Sequence, residues 1–280
     1  MNQENYWIKS LSLSKNALEN SSLKPINTNL EYLSTATNLI FEYRRVSSIN
    51  FKFSTTFGPK ENPFRPWDKR LQIDTIGNNH ILILNKYPVQ IGHMLLITRK
   101  WYPQDGWLNQ TDWEALKAVE KDTSGLWFFN SGPKAGASQN HRHLQLLRRK
   151  ILDISCPLES WYEGNQNINL CESSLLRRNI CSAKRSIKNE TAYDLHNTYI
   201  RLCDRIGLGA PDDSTKPNYP YNLLISPNWI GIIRRSKEYA YGFSLNALAF
   251  AGYLLGTNKS NNDWLNKNGP IKLLEEVVAD

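Results

Sequence analysis

The sequence predicts an α+β protein in which helices cover an antiparallel sheet. Short apolar runs recur in pairs that are separated by turn residues, as is typical of neighbouring antiparallel strands. Other segments repeat apolar residues at helical spacing. At 280 residues the chain is long enough for one large domain or two small ones, and 40% of its residues are hydrophobic, which is sufficient for a packed core.

Two regions are expected along the chain. Residues 1–50 should form a helical N-terminal segment that packs on the core, since their amphipathic pattern is strongest from Leu30 to Val46. Residues 51–280 should form the main domain, which includes a C-terminal strand pair and helix.

The strands and helices of the main domain are predicted in order. Strands are expected at residues 80–84, 92–98, 126–129, 141–147, 221–225 and 229–233. Helices are expected from Thr111, which begins a capping-box pattern, from 192 to 206, and from Ser244 to Leu255. Residues 126–129 and 141–147 should pair as a hairpin with a long connection, whereas residues 151–188 show no clear period.

Charge and composition restrict the class of partner and the compartment. The net charge of +8 and the pI of about 9.2 fit a partner that bears phosphates, whether a nucleotide, a nucleic acid or a membrane surface. The cysteines have no C-x-x-C spacing and suit a reducing compartment: Cys156, Cys171, Cys181 and Cys203. The N-terminus lacks the layout of a signal peptide and no apolar run could span a bilayer, so a cytoplasmic protein without a membrane partner is expected.

The most informative segment is a glycine-rich loop, residues 131–140, followed by His141-Arg142-His143-Leu144-Gln145. Side chains two apart on a strand point to the same face of the sheet. His141, His143 and Gln145 should therefore form a polar row, with the intervening residues on the opposite face.

Three interpretations of this row are possible. The two histidines could simply lie on a partly exposed strand. They could also bind a metal ion such as zinc, although the spacing identifies no third ligand among His80, His93, His196 and the carboxylates. The third interpretation is covalent catalysis, because a neutral imidazole is a competent nucleophile at phosphorus near pH 7.

We favour the covalent interpretation because of the loop that precedes the row. Gly136, Ala137 and Ser138 are small enough for their backbone N–H groups to approach phosphate oxygens, while Lys134 and Gln139 add charge and donors. Gln145 indicates which acceptor completes the reaction. A carboxamide can donate and accept hydrogen bonds but cannot transfer protons to or from water, which favours a transferase over a hydrolase.

These residues resemble those of a known family. His141 to Gln145 is similar to the His-x-His-x-Gln signature of the transferase branch of the histidine-triad superfamily, and residues 130–145 resemble ATP adenylyltransferases, also called diadenosine tetraphosphate phosphorylases. Further matching blocks occur in order at residues 62–64, 84–89, 92–98, 104, 221–224, 229, 235 and 244–247. The resemblance implies that residues 51–280 form a catalytic domain of the histidine-triad and hexose-1-phosphate uridylyltransferase architecture.

The resemblance also implies roles for individual residues. His143 would attack the α-phosphate of a dinucleoside polyphosphate, His141 would orient His143, and Gln145 would hold the phosphate. ATP would leave, and inorganic phosphate would take AMP from the histidine to give ADP; the reverse reaction uses the same intermediate. Substrate contacts are implied at Lys52, Asn85, Lys86, Asn130, Gly136, Ala137, Ser138, Gln139, Arg235 and Lys237.

The implied partners are small nucleotides, namely dinucleoside polyphosphates, ATP and ADP, together with phosphate. A nucleic-acid partner is not expected, nor is a protein-bound metal or a tightly bound cofactor, although Mg²⁺ would accompany the nucleotide. Two alternatives stay open: a related transferase that acts on adenylyl sulfate or a sugar phosphate, and a nucleotide- or RNA-binding module without catalysis.

Overall fold

The computed structural model describes residues 4–47, 62–148, 155–163 and 173–279. The N-terminal part of the chain, up to the end of the signature strand, contains two α-helices and seven strands within the described residues. They are α1 (Asn5–Glu19), β1 (Thr28–Ser34), β2 (Ile40–Val46), β3 (Gln72–Ile76), β4 (His80–Leu84), β5 (Met94–Thr98), α2 (Gln110–Glu120), β6 (Leu126–Asn130) and β7 (His143–Leu147).

The part that follows is described by five helices and six strands outside its two gaps. They are α3 (Ser160–Glu163), α4 (Ser174–Asn179), β8 (Ile180–Lys184), α5 (Ala192–Arg205), β9 (Tyr221–Ile225), β10 (Trp229–Arg234), β11 (Tyr239–Ala240), β12 (Phe243–Ser244), α6 (Ala247–Phe250), β13 (Tyr253–Gly256) and α7 (Asn262–Glu275). No described helix combines the length and hydrophobicity needed to span a bilayer.

An eight-stranded sheet, in the order β3-β4-β5-β7-β6-β9-β10-β8, organises the protein. All of its neighbouring strands run antiparallel. The signature strand β7 lies inside this sheet, where Gln145 pairs with Leu95 of β5 and with Phe128 of β6. The predicted α+β class, with an antiparallel sheet and flanking helices, is confirmed.

The two faces of β7 have different surroundings, as the period-two pattern predicted. Leu144 and Leu146 are buried in a core formed with α2 and α5. Phe64 packs over the opposite face, where its ring contacts those of His141 and His143. The sheet therefore separates a hydrophobic layer from the face that carries the polar row.

The N-terminal segment differs from the prediction. Its helix is α1, while Leu30 to Val46, predicted to be helical, contributes to the strand pair β1 and β2. Phe41 and Tyr43 are buried and alternate with more exposed neighbours, so the period is two rather than 3.6. β2 also pairs in parallel with β13, which joins the N-terminal segment to the C-terminal part of the chain.

The predicted helix from Ser244 to Leu255 is also wrong. This segment forms the end of β12, the short helix α6 and most of β13. Gly252, whose φ is +96°, follows α6, and a Cβ at this glycine would lie 2.7 Å from the Cβ of Pro157. A uniformly apolar segment does not reveal by periodicity where a helix ends, so only the tertiary contacts mark this boundary.

Two helix starts illustrate the capping rules. The helix predicted from Thr111 begins one residue earlier, because Asn109 is the N-cap and forms a capping box with Asp112. The helix predicted at 192–206 matches α5, where Thr191 forms a capping box with Asp194.

Candidate active site

The loop between β6 and β7 has a tightly constrained backbone. Gly132 and Gly136 have positive φ values of 76° and 87°, which glycine adopts most readily. A Cβ at Gly136 would lie 2.6 Å from the Cβ of Asn246, closer than side chains can pack. Glycine is required here both by the backbone and by the contact with the segment before α6.

Some backbone N–H groups that were expected to bind an anion are already hydrogen-bonded within the loop. The amides of Ala135, Gly136 and Ala137 donate to carbonyls of the loop itself, at 2.9–3.1 Å. Gly136 and Ala137 were predicted to donate their amides to an anion, but both amides already donate to carbonyls within the loop. The next three amides, at residues 138–140, have no acceptor within the described residues, and they lie directly before the signature strand.

The base of the loop is held by the side chains of Asn130 and Asn222. The Oδ1 atom of Asn130 accepts from Asn222 Nδ2 at 2.9 Å and from the amide of Ala247 at 2.9 Å. Asn222 Nδ2 also donates to the carbonyl of Ala135 at 2.8 Å. Asn130 was predicted to contact substrate, but its carboxamide oxygen is used within the protein.

Arg235 was also predicted to contact substrate, yet it is 0% exposed. Its Nε donates to the carbonyl of Val277 at 3.0 Å, its Nη2 donates to those of Lys237 and Leu245 at 2.9 Å each, and its Nη1 donates to Asn222. No carboxylate forms an ion pair with it in the described part of the chain, and burial lowers its pKa to about 9. Arg235 donates a hydrogen bond to Asn222, and its guanidinium is fully buried rather than exposed at the site.

His143 is held in one tautomer by a main-chain contact. Its Nδ1 lies 2.8 Å from the carbonyl oxygen of His141, which can only accept, so Nδ1 carries the proton and Nε2 the lone pair. Burial lowers the pKa of His143 to about 4, so the ring is neutral near pH 7. Nε2 has no hydrogen-bond partner among the described residues and is the atom available for nucleophilic attack.

The backbone of His143 is fixed by Gln104. The Oε1 atom of Gln104 accepts from the amide of His143 at 2.9 Å, and its Nε2 donates to the carbonyls of Asn130 and His143 at 2.9 and 3.2 Å. One buried carboxamide therefore holds the end of β6 against the start of β7.

His141 orients His143 through its carbonyl, while its ring is bound elsewhere. Its Nδ1 lies 2.9 Å from Asn62 Nδ2, and its Nε2 lies 2.8 Å from the carbonyl of Thr98. Asn62 Oδ1 accepts from the amide of Phe64, so Asn62 Nδ2 must donate to His141. The ring therefore carries its proton on Nε2, and burial is the main cause of its lowered pKa.

Phe64 covers the two histidines. The centroid of its ring lies 5.6 Å from that of His141 and 5.4 Å from that of His143, both in edge-on arrangements. It belongs to an apolar cluster with Ile97 and Leu95 of β5. This packing excludes water from one side of the His143 ring and contributes to the desolvation that keeps the ring neutral.

Arg142 faces away from the polar row and binds a buried carboxylate. Its Nη1 lies 3.0 Å from Asp112 Oδ2, while His80 Nε2 lies 2.9 Å from Asp112 Oδ1. The signature strand is thereby tied to the first turn of α2. No group of three residues that could hold a metal ion occurs in the described ranges, so the metal interpretation finds no third ligand there.

The family model of the Ap4A phosphorylase N-terminal domain matches residues 1–161, more than half of the chain. The chain belongs to the Ap4A phosphorylase family. The model of the ATP adenylyltransferase C-terminal domain matches residues 173–280. The predicted family is confirmed.

Two curated relatives of this Ap4A phosphorylase family member come from Saccharomyces cerevisiae. Protein APA1 is 26% identical over 196 residues, which cover 63% of this chain and 61% of that protein. Diadenosine 5',5'''-P1,P4-tetraphosphate phosphorylase 2 is 25% identical over 222 residues, which cover 70% of this chain and 68% of that protein. The matched region thus spans about three fifths to two thirds of the length of these relatives.

Solved structures of yeast Ap4A phosphorylase Apa2 share the fold. One has a TM-score of 0.74 at 22% identity and covers 99% of this chain and 96% of that chain. The complex of Apa2 with AMP has a TM-score of 0.75 at 22% identity, with 99% and 98% covered. The similarity extends over both matched domains.

The other predicted substrate contacts of this Ap4A phosphorylase family member lie in different settings. Lys86, Ser138 and Lys237 are exposed, although Lys237 Nζ lies 4.0 Å from Glu276. Asn85 is half-buried and its carboxamide is hydrogen-bonded within the protein. Lys52 lies outside the described residues.

Several supporting residues could not be assigned roles from the sequence: Asn62, Phe64, Thr98, Gln104 and Asn222. All five occur in the blocks that resemble the family, and this was their only signal. Their contacts join segments far apart in the chain, which no local period reveals.

Proposed function

We propose that this protein is a nucleotidyltransferase that cleaves diadenosine tetraphosphate with phosphate to give ATP and ADP, and that it also catalyses the reverse reaction. The observation that carries the proposal is the hydrogen bond from His143 Nδ1 to the carbonyl of His141. It leaves the Nε2 lone pair of a neutral imidazole as the nucleophile.

In the first step, Nε2 of His143 forms a bond to the α-phosphorus, and the bond from that phosphorus to the bridging oxygen breaks. ATP leaves with the bonding electrons. The imidazole becomes positively charged, and the carbonyl of His141 stabilises the proton that stays on Nδ1.

In the second step, an oxygen of inorganic phosphate attacks the same phosphorus atom. The N–P bond breaks, ADP is released and His143 becomes neutral again. No proton needs to leave Nδ1 at any stage, because the lone pair on Nε2 forms the bond and is regenerated.

Several groups are proposed to hold the polyphosphate. The amides of residues 138–140, which have no acceptor among the described residues, would supply donors close to the nucleophile in the chain, together with the side chains of Ser138, Gln139 and Gln145. Lys86 and Lys237 are exposed and would supply charge, and Lys52 is proposed only from the family resemblance. Mg²⁺ would arrive with the nucleotide as part of the substrate.

The names of the relatives support the choice of substrate. One curated relative is a diadenosine tetraphosphate phosphorylase, and Apa2 has been solved in complex with Ap4A, with a TM-score of 0.74 at 20% identity. The presence of a carboxamide at Gln145 favours transfer to phosphate over hydrolysis, because a carboxamide does not activate water. A cytoplasmic location is part of the proposal, and the scattered cysteines support it.

The test is to incubate the protein with labelled diadenosine tetraphosphate and phosphate. We expect ATP and ADP in equal amounts and, without phosphate, an acid-labile AMP adduct that a His143→Ala variant does not form. Adenylyl sulfate and a nucleotide sugar serve as competing substrates. Preferential turnover of either would replace the proposed substrate, and binding without product from any of them would contradict catalysis.

A further inference from the structure

The polar row has a neighbour that the mechanism above does not use. We infer that His93 is a positioning residue that binds the carbonyl oxygen of the Gln145 side chain, so that the Gln145 NH₂ group is directed at the phosphate. This inference rests on the proposed function for its phosphate, but the bond itself can be tested without turnover.

The proton on His93 can be located from Asn85. The Oδ1 atom of Asn85 accepts from the amide of Tyr87 at 3.0 Å, which sets the orientation of this carboxamide. Its Nδ2 therefore faces His93 Nδ1, at 3.1 Å. Since Nδ2 can only donate, Nδ1 of His93 accepts, and a neutral His93 carries its proton on Nε2.

This Nε2–H group is buried and makes no hydrogen bond of normal geometry within the described residues. His93 is 8% exposed, so water cannot readily replace a protein acceptor. A buried donor without an acceptor is unfavourable, and most such donors in folded proteins are satisfied. Nε2–H is thus a hydrogen-bond donor that an acceptor on the same face of the sheet would satisfy.

The strand register places Gln145 beside this donor. Leu95 pairs with Gln145, and His93 precedes Leu95 by two residues, so the two side chains lie diagonally across neighbouring strands on one face. The His93 ring also lies 5.7 Å from that of Phe128, which pairs with Gln145 on the other side.

The electrostatic surroundings of His93 agree with this placement. Burial lowers its pKa to about 4, the Gln145 carboxamide raises it, and His143 lowers it. His93 is therefore neutral near pH 7 and close to both residues, while its contact with Gln145 falls short of a well-aligned hydrogen bond in the structure.

The consequence concerns the direction of the Gln145 dipole. If Oε1 accepts from His93, the NH₂ group faces the nucleophile and can donate to a phosphate oxygen. In the opposite orientation, the carbonyl oxygen of the Gln145 side chain would face the phosphate oxygen and repel it. In the inferred arrangement, Asn85, His93 and Gln145 would form a chain of hydrogen bonds in which each member has one possible orientation.

The first test measures the tautomers in the wild-type protein by NMR with ¹⁵N-labelled histidine. We expect the proton on Nε2 in His93 and in His141, but on Nδ1 in His143. A His93 ring with its proton on Nδ1 would overturn the inference. This result does not depend on activity, so it tests the donor that the inference requires even if diadenosine tetraphosphate is not turned over and the proposed function fails.

The second test uses His93→Phe, which keeps a flat ring and removes the donor. We expect kcat to fall roughly tenfold to a hundredfold, with a smaller change in KM, because losing a fixed donor weakens the transition state most. His93→Gln, which retains an N–H donor, should recover part of this loss. The matched control is His196→Phe, since His196 Nε2 is also buried with no partner among the described residues but lies outside the row.

A double-mutant cycle with Gln145→Ala separates positioning from general damage. If His93 acts through Gln145, His93→Phe should have little further effect on kcat in the Gln145→Ala background. Fully additive losses in log kcat would overturn the inference, as would an unchanged kcat in folded His93→Phe.

Discussion

The Nδ2 atom of Asn222 lies 2.9 Å from Oδ1 of Asn130, and this bond links the two family-matched regions directly beneath the glycine-rich loop. Asn130 and Asn222 are paired across β6 and β9. Because Asn222 also bonds Ala135 and Arg235, it connects the loop to the buried guanidinium. The loop is thus positioned by residues from both regions.

Asn222→Ala should loosen this loop without unfolding the protein. The substitution leaves donors and acceptors of Asn130, Ala135 and Arg235 unpaired, and we expect a loss of about 1–3 kcal/mol in the free energy of unfolding. Denaturant unfolding measures this loss, and steady-state kinetics should show a higher KM for the dinucleotide. Asn218→Ala, at an exposed position, is the control, and equal effects of both variants would contradict the role of Asn222.

Gly136→Ala should reduce turnover because the added Cβ meets the backbone and side chain of Asn246, at 2.9 and 2.6 Å. We expect a loss of about 1–3 kcal/mol in stability from overpacking and a roughly hundredfold fall in kcat from displacement of the loop. Gly77 also has a positive φ, but a Cβ there would meet no atom within 4 Å. Gly77→Ala therefore measures the cost of backbone strain without a steric clash. A wild-type kcat in Gly136→Ala would contradict the prediction, because it would show that displacing the loop does not affect turnover.

Gln145→His should change the acceptor of the AMP group. An imidazole can transfer a proton from water, so we expect free AMP to increase relative to ADP when the variant is assayed with dinucleotide and phosphate. Chromatography of the labelled products measures this ratio. Gln90→His, at an exposed position outside the row, should leave it unchanged. An unaltered ratio in Gln145→His would contradict the argument that the carboxamide selects phosphate.

The buried histidines predict how stability depends on pH. The pKa values of His93 and His143 are lowered by burial to about 4, whereas an unfolded histidine has a pKa of about 6.5. Between these values the unfolded state binds more protons, so the free energy of unfolding should decrease as pH falls from about 6.5 to about 4. Each histidine contributes up to about 1.4 kcal/mol per pH unit.

Denaturant unfolding at several pH values checks this prediction, and a His93→Phe/His143→Phe variant should show a shallower decrease. If the free energy of unfolding decreased equally steeply with falling pH in wild type and variant, other titrating groups would be its cause.

The sequence predicted the parts of the site that depend on local alternation. His143 and Gln145 share a face because strands have a period of two. The nest predicted in the preceding loop stays a prediction, and its amides at Gly136 and Ala137 are bonded within the loop. Arg235 illustrates the limit. It occurs in the basic cluster 234–237, which is typical of a solvated surface, and is buried because the carbonyls of Lys237, Leu245 and Val277 and the side chain of Asn222 surround its guanidinium.

The same distinction applies to the fold. Strands β4, β9 and β10 and helix α5 were predicted to within a residue or two, since each has a regular pattern between turn residues or caps. Leu30 to Val46 was assigned the wrong period, because its apolar residues fit a helical face nearly as well as an alternating strand. The pairing of β2 with β13, more than 200 residues apart, is a tertiary contact that favours the strand.

The pairing of β6 with β9 has a practical consequence for anyone who divides this chain. In the eight-stranded sheet, this pairing joins the segment matched by the first family model to the segment matched by the second. Expressed separately, each fragment would expose a mainly apolar five-residue strand with unpaired main-chain groups, which favours self-association. If the two fragments are expressed together, β6 and β9 should pair again. Fragment complementation is therefore the preferable way to label the two matched segments independently.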